Sequence, residues 1–237
     1  PQINRNLFVV WQQDSLAGIY KPPNIPMHEG GVYRKNTFCE VLKEKMGDSW
    51  APIHRLDRET SGLVLCGADA QTRKQLSIML CSHLMQKTYY AIAIGRASKK
   101  QWTVNEPIGA HPNTNFRTKQ AVVKTGQEAI TTFKVLKEKD NYCLLEVQPR
   151  TGRTHQIRVH AAWSNLPLVG DKKYCQNEAV YLEYLEKGFS PLVKKHCLTE
   201  RLCLHAKSLE FENPLNNKPL KIETPVPDDM QEIWDSL

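Results

Sequence analysis

The stretch Ile53-His54-Arg55-Leu56-Asp57-Arg58-Glu59-Thr60-Ser61-Gly62-Leu63-Val64-Leu65-Cys66 constrains this chain more than any other. Leu63 to Cys66 is an unbroken apolar run, which reads as a buried strand. Thr60-Ser61-Gly62 supplies the turn that leads into it. A fold that buries this strand leaves Asp57 at its lip, where the carboxylate can be held in one rotamer. The flanking Arg55 and Arg58 favour its ionised form. An ionised, partly desolvated carboxylate suits covalent or acid–base chemistry at a sugar carbon. The plainer reading of the same residues is a solvated surface pair of little consequence.

A second stretch carries as much information: Thr151-Gly152-Arg153-Thr154-His155-Gln156-Ile157-Arg158-Val159-His160. It predicts a helix capped by Thr154, with Ile157 and Ala161 on its apolar side and Arg158 one turn inside. No acid occurs from Val147 to Gly170, so Arg150, Arg153 and Arg158 lack a partner close in sequence. Elsewhere Phe8 to Trp11 and Ala17 to Tyr20 read as short strands. Thr37 is placed to cap a helix carrying Phe38, Val41, Leu42 and Met46. Lys87 to Gly95 alternates as a strand does, with Tyr89 and Tyr90 on opposite faces. Ala129 to Lys137 and Tyr142 to Gln148 form a hairpin turned by Lys139-Asp140-Asn141. Asp228 is placed to cap a last helix that buries Met230, Ile233, Trp234 and Leu237 on one side.

The string His-Arg-Leu-Asp-x-x-Thr-Ser-Gly-Leu at 54–63 resembles the signature of the RluA-type pseudouridine synthases. The second stretch resembles that family's Thr-Gly-Arg-x-His-Gln-Ile-Arg-x-His motif. Lys21-Pro22-Pro23-Asn24 to His28 resembles its Lys-Pro-x-Gly-x-x-x-His loop, with Asn24 where glycine is usual. Lys87 to Gly95 is similar to its Lys-x-Tyr-x-Ala-x-x-x-Gly strand, and Val169 to Tyr174 and Leu202 to Ala206 match later elements. The likeness runs from about Ile19 to Pro227. Cys175 to Arg201 matches nothing in the family and reads as an insertion at about 176–200, with a helix from Glu178 to Lys187 ended by Gly188. Removing most of 177–199 is expected to spare the core fold.

The resemblance implies a single α+β domain over residues 1–237, built on a curved, mostly antiparallel mixed sheet flanked by helices, with a central catalytic cleft. It implies isomerisation of uridine in rRNA or tRNA to pseudouridine. The C1′–N1 bond breaks, the base turns, and C1′ joins C5. Asp57 falls on the catalytic position, Tyr89 on the tyrosine that packs against the uracil, and Arg158 on the arginine that pairs with the catalytic Asp. Arg55 falls on the residue that fills the space left by the flipped base; a salt bridge to Glu59 is its structural alternative. Attack of the carboxylate on C1′, stabilisation of its charge and removal of the 2′ proton all remain open as routes. None requires a cofactor or metal. The N-terminal RNA-binding domain of many relatives is not expected in this chain.

The formal charge of +7 over 237 residues agrees with a polyanionic partner, as a solvated surface also would. From Pro107 to Gln127 there is no acid, and Arg117, Lys119 and Lys124 interleave with Phe116. This segment suits a phosphate backbone and a stacked base, or forms a merely solvated hairpin. Arg153 and His155 complete the expected RNA contacts. The odd count of seven cysteines without a C-x-x-C pair argues against a disulfide framework or zinc site. Cys66 and Cys143 read as buried thiols of a reducing compartment. The expected setting is cytoplasmic, or organellar if a targeting segment precedes Pro1. No run of 18 apolar residues marks a membrane span, and a monomer is expected. Two other classes fit parts of the pattern. A non-catalytic RNA-binding module would not keep Asp57, Tyr89 and Arg158 together, and a glycoside hydrolase needs a second placed carboxylate.

Overall fold

Local signals set the first elements in a computed structural model that describes residues 3–114, 116, 118–175 and 177–237. β1 (Phe8–Gln13) and β2 (Leu16–Lys21) form an antiparallel hairpin. Asn24 follows with φ 64°, the left-handed conformation that asparagine tolerates in place of glycine. α1 (Phe38–Met46) begins as expected, because the Thr37 hydroxyl accepts from the Glu40 N–H at 3.3 Å. β3 (Ala51–Pro52), β4 (Ser61–Gly67), α2 (Ala70–Cys81) and β5 (Gln86–Ile94) come next. His83 stands just past the end of α2, again with positive φ.

The chain continues through β6 (Gln101–Asn105), β7 (Ile108–Ala110), β8 (Gln120–Val122), β9 (Ile130–Lys139) and β10 (Tyr142–Pro149). Asp140 turns the β9–β10 hairpin with φ 51°. α3 (Gln156–Trp163), α4 (Glu178–Lys187), α5 (Pro191–Cys197), β11 (Leu204–Asn213), β12 (Lys218–Glu223) and α6 (Asp228–Ser236) complete it. The expected Asp228 cap is not formed: Asp228 is the first residue of α6, and Pro227 occupies the cap position without a side-chain cap bond. The α+β class and the mostly antiparallel, mixed pairing agree with the expected fold class.

Contacts gather the chain into two compact units, Pro1–Thr88 with His205–Pro225 and Tyr89–Leu204 with Val226–Leu237. In the first, strands run in the order β1-β2-β4-β11, with β12 on β11 and β3 on β4. All of these pairs are antiparallel except β4 with β11. β4 is buried along its whole length, which accounts for its unbroken apolar run. Leu63 and Leu65 join Leu16, Leu76, Leu209, Phe211 and Ile222 in its core. Gly62, at φ 119°, lies against the Ala206 backbone so closely that any side chain there would collide with it.

In the second unit β5, β10, β9 and β6 form an antiparallel sheet. Tyr89 packs with the cluster of Phe133, Val147 and Ile157, whereas Tyr90 packs with Ile92, Met230 and Trp234. The two tyrosines thus serve opposite faces, as strand alternation requires. The acid-free segment is a short hairpin, β7 with β8. α4 and α5 close around Val180, Val193 and Cys197.

Candidate active site

Asp57 belongs to the first unit and is half-buried, on a turn closed by the Thr60 N–H donating to the Asp57 carbonyl at 3.1 Å. Three residues outside the turn hold it. The ammonium of Lys21, wholly buried at the end of β2, donates to the carbonyls of Pro22 (3.0 Å), Arg58 (3.0 Å) and Thr60 (2.7 Å). His54 accepts the Leu65 N–H at its Nε2, 3.0 Å away, tying the approach of the turn to β4. Burial, then the charge of Lys87, push its imidazole down to about 4, against a weaker opposing bond to the Arg55 backbone. Ser61 lies 3.0 Å from His205 Nδ1, and Thr224 lies 2.9 Å from His205 Nε2. Thr224 donates to the Ala206 and Lys207 carbonyls, so Nε2 carries the imidazole proton and Nδ1 accepts from Ser61. Glu59 pairs with Arg58 at 3.8 Å, and Arg55 is exposed.

Arg158 belongs to the second unit, where α3 is fixed by the other residues of its motif. The amide of Gln156 accepts from Thr151 Oγ1 (2.7 Å) and the Arg153 N–H (3.0 Å). It donates to the Ile130 carbonyl (3.0 Å) and Thr131 Oγ1 (2.9 Å). Thr131 in turn bonds His160 Nδ1 at 2.9 Å, and His160 Nε2 donates to the Glu106 carbonyl at 3.0 Å. Burial lowers the His160 pKa and keeps that ring neutral. Every polar group of this buried chain is satisfied. The expected Thr154 cap is not formed: His155 takes the N-cap position with φ 56° and no side-chain cap bond.

Arg158 is 3% exposed and its carboxylate partner in this unit is Asp171. Nε donates to Asp171 Oδ2 at 2.7 Å and Nη2 to Oδ1 at 2.8 Å. The Tyr174 ring lies 5.1 Å from the guanidinium carbon. Asp171 stands one residue beyond the acid-free stretch in which no neighbour could be read from the sequence.

These two stretches coincide with a known family. The sequence profile described as RNA pseudouridylate synthase matches residues 15–163. The chain belongs to the RNA pseudouridylate synthase family. It is therefore an isomerase acting on uridine in RNA, as the motifs implied. It is 29% identical over 247 residues to tRNA pseudouridine synthase C of Vibrio cholerae serotype O1, across 98% of this chain and 94% of that one. It is 31% identical over 236 residues to ribosomal large subunit pseudouridine synthase D of Xanthomonas campestris pv. campestris, across 98% of this chain and 69% of the relative. Human RNA pseudouridylate synthase domain containing 4 matches the fold with a TM-score of 0.73 at 25% identity, covering 94% of this chain and 90% of that structure. Human RNA pseudouridylate synthase domain containing 1 matches it with a TM-score of 0.75 at 21% identity, covering 96% and 86%.

The structure places the synthase's expected RNA-contact residues unevenly. Arg153 and His155 sit together at the N-terminus of α3, a first turn without acids. Arg153 Nε donates to the Glu128 carbonyl at 2.9 Å, and His155 Nδ1 bonds the Tyr174 hydroxyl at 2.7 Å. Lys119 is not a solvated cation: its side chain is 13% exposed and pairs with Glu178 of α4 at 3.1 Å. Arg117 lies outside the described residues. Sequence reading gave no role to Lys21, Gln156 or Asp171. Each lay inside or beside a quoted motif, but part of what it bonds comes from other elements: Arg58 and Thr60 for Lys21, Ile130 and Thr131 for Gln156, and Arg158 for Asp171.

Proposed function

We propose that this synthase isomerises a uridine of rRNA or tRNA, with Asp57 as the catalytic carboxylate, Tyr89 against the uracil and Arg158 as the cation that favours the ionised acid. The enzyme acts as a monomer and without a metal. The base leaves its stack, and Arg55 fills the space. N1 departs with the C1′–N1 electron pair, the base turns, C5 bonds to C1′, the C5 proton leaves and N1 regains one. Arg153 and His155 contact phosphate, helped by the positive end of the α3 dipole.

The observation that carries this reading is the immobilisation of the Asp57 turn. A wholly buried ammonium holds the carbonyls of Arg58 and Thr60, just past Asp57, and a neutral histidine fixes its approach. Such anchoring sets a side chain within the narrow tolerance that chemistry at C1′ demands. The test is Asp57→Asn, assayed by mapping pseudouridine in total RNA treated with the purified protein. Product should vanish while melting temperature and RNA affinity stay close to the unaltered protein. Turnover retained by the variant removes Asp57 from the mechanism. The unaltered protein's map also identifies the RNA and the position.

A further inference from the structure

We propose that Asp171 is a positioning residue for catalysis, which sets the plane and reach of the Arg158 guanidinium; this rests on Arg158 acting as proposed above. Two donors of the guanidinium fork, Nε and Nη2, meet the two oxygens of one carboxylate at 2.7 and 2.8 Å. A bidentate pair fixes a plane as well as a distance. Both side chains are buried, Arg158 at 3% and Asp171 at 0% exposure.

The carboxylate is itself fixed. Asp171 Oδ1 also accepts the N–H groups of Lys173 at 3.0 Å and Tyr174 at 3.1 Å, so it cannot rotate without losing backbone bonds. Burial opposes its charge, but the charge and hydrogen bonds of Arg158 outweigh that and hold the carboxyl below its usual range. Gly170, at φ 79°, brings the turn so close to the Arg201 backbone that no side chain fits there. The Gly170 N–H donates to the Cys197 carbonyl at 2.9 Å. Tyr174, three residues on, completes the seat. Its ring faces the guanidinium at 5.1 Å, and its hydroxyl accepts the Gln120 N–H at 3.0 Å. Arg158 is thus gripped edge-on by a carboxylate and face-on by a ring, both from one short turn.

A buried arginine that merely balanced charge would need neither the shared backbone bonds nor the ring. The arrangement instead leaves the guanidinium one orientation, and misplacement of a catalytic group by about 1 Å can cost about 100-fold in rate. The experiment uses the full chain and the RNA in which mapping locates its product. It compares Asp171→Asn, Arg158→Lys and the double variant. Asp171→Asn is expected to lower kcat about 100-fold with KM within about twofold. The double variant should be no slower than Arg158→Lys, because Asp171 acts through Arg158. Wild-type kcat in Asp171→Asn, or losses that add in the double variant, would overturn the proposal. If Arg158→Lys is slow and Asp171→Asn is not, the role of Asp171 fails alone. If Arg158→Lys keeps full kcat, the underlying reading of Arg158 fails. Should Asp171→Asn not fold, Asp171→Glu carries the test. It keeps the charge but displaces the carboxylate by a methylene, and kcat should again fall, with wild-type kcat overturning the idea.

Discussion

The ammonium of Lys21 donates to the carbonyl of Thr60 at 2.7 Å, joining the end of β2 to the turn that carries Asp57. Lysine is almost never wholly buried unless its charge is met. Here carbonyl oxygens across the turn meet it. Lys21→Met fills the same volume but leaves those carbonyls without their donor. Each buried polar group so orphaned costs about 1–3 kcal/mol. The variant is expected to unfold at clearly lower urea concentration and to lose turnover more than RNA affinity. Unchanged stability and kcat would show the ammonium to be dispensable.

His54 predicts a pH dependence of stability. Its folded pKa of about 4 lies below the ordinary value of about 6.5. As pH falls, the unfolded chain takes up the proton first. The histidine's contribution is therefore complete above about 6.5 and is lost as pH falls towards 4, a difference of about 3 kcal/mol. Burial lowers the His160 pKa too, so that ring works in the same direction. His54→Gln, which cannot titrate, should flatten the fall in urea-unfolding free energy between pH 7 and 4. An equal slope in variant and parent would remove His54 as its source.

Lys119 and Glu178 predict a change in salt dependence. Glu178 of α4 also accepts from Thr114 Oγ1 at 2.7 Å, and Phe116 meets Tyr181 of the same helix edge-on. The Glu178 side chain is 42% exposed, so water screens the pair and its contribution is about 1 kcal/mol at most; Glu178→Gln should fold normally. With its anion removed, Lys119 becomes available to phosphate, and each added phosphate contact steepens the log–log salt slope by about 0.9. Filter binding from low to high salt should show the steeper slope. A slope equal to the parent's would place Lys119 outside the RNA footprint.

Removal of 177–199 should cost more than the sequence suggested. Cys197 of α5 accepts the Gly170 N–H, and the Tyr184 ring lies 5.0 Å from the Lys172 ammonium. The 177–199 segment therefore covers the turn that holds Arg158. A deletion variant should melt at lower temperature and turn over more slowly. Full activity with an unchanged melting temperature would show that the turn stands without this cover.

The family and much of the fold were legible in the chain itself, because they rest on short-range patterns. The apolar run after Thr60-Ser61-Gly62 determined that β4 is buried, and its motif marked Asp57. Strand alternation assigned Tyr89 and Tyr90 to different faces, and Thr37 and Gly188 marked helix ends whose hydrogen bonds close within a few residues. Asn24 could be assigned its left-handed turn because backbone sterics are local. What tertiary structure alone decided is partnership. Lys21 meets carbonyls of Arg58 and Thr60, far along the chain, and nothing in either segment specifies the other. Thr154 had the right side chain for a cap, yet His155 took the cap position, and Gln156 was bonded to Ile130 and Thr131 of β9, which folding brought alongside it. Lys119 looked free in an acid-free segment, and α4 supplied its acid from further along the chain. Arg158 gained Asp171 for the same reason. Ion pairs form between groups that packing makes neighbours, and packing here joins residues whose separation along the chain carries no signal.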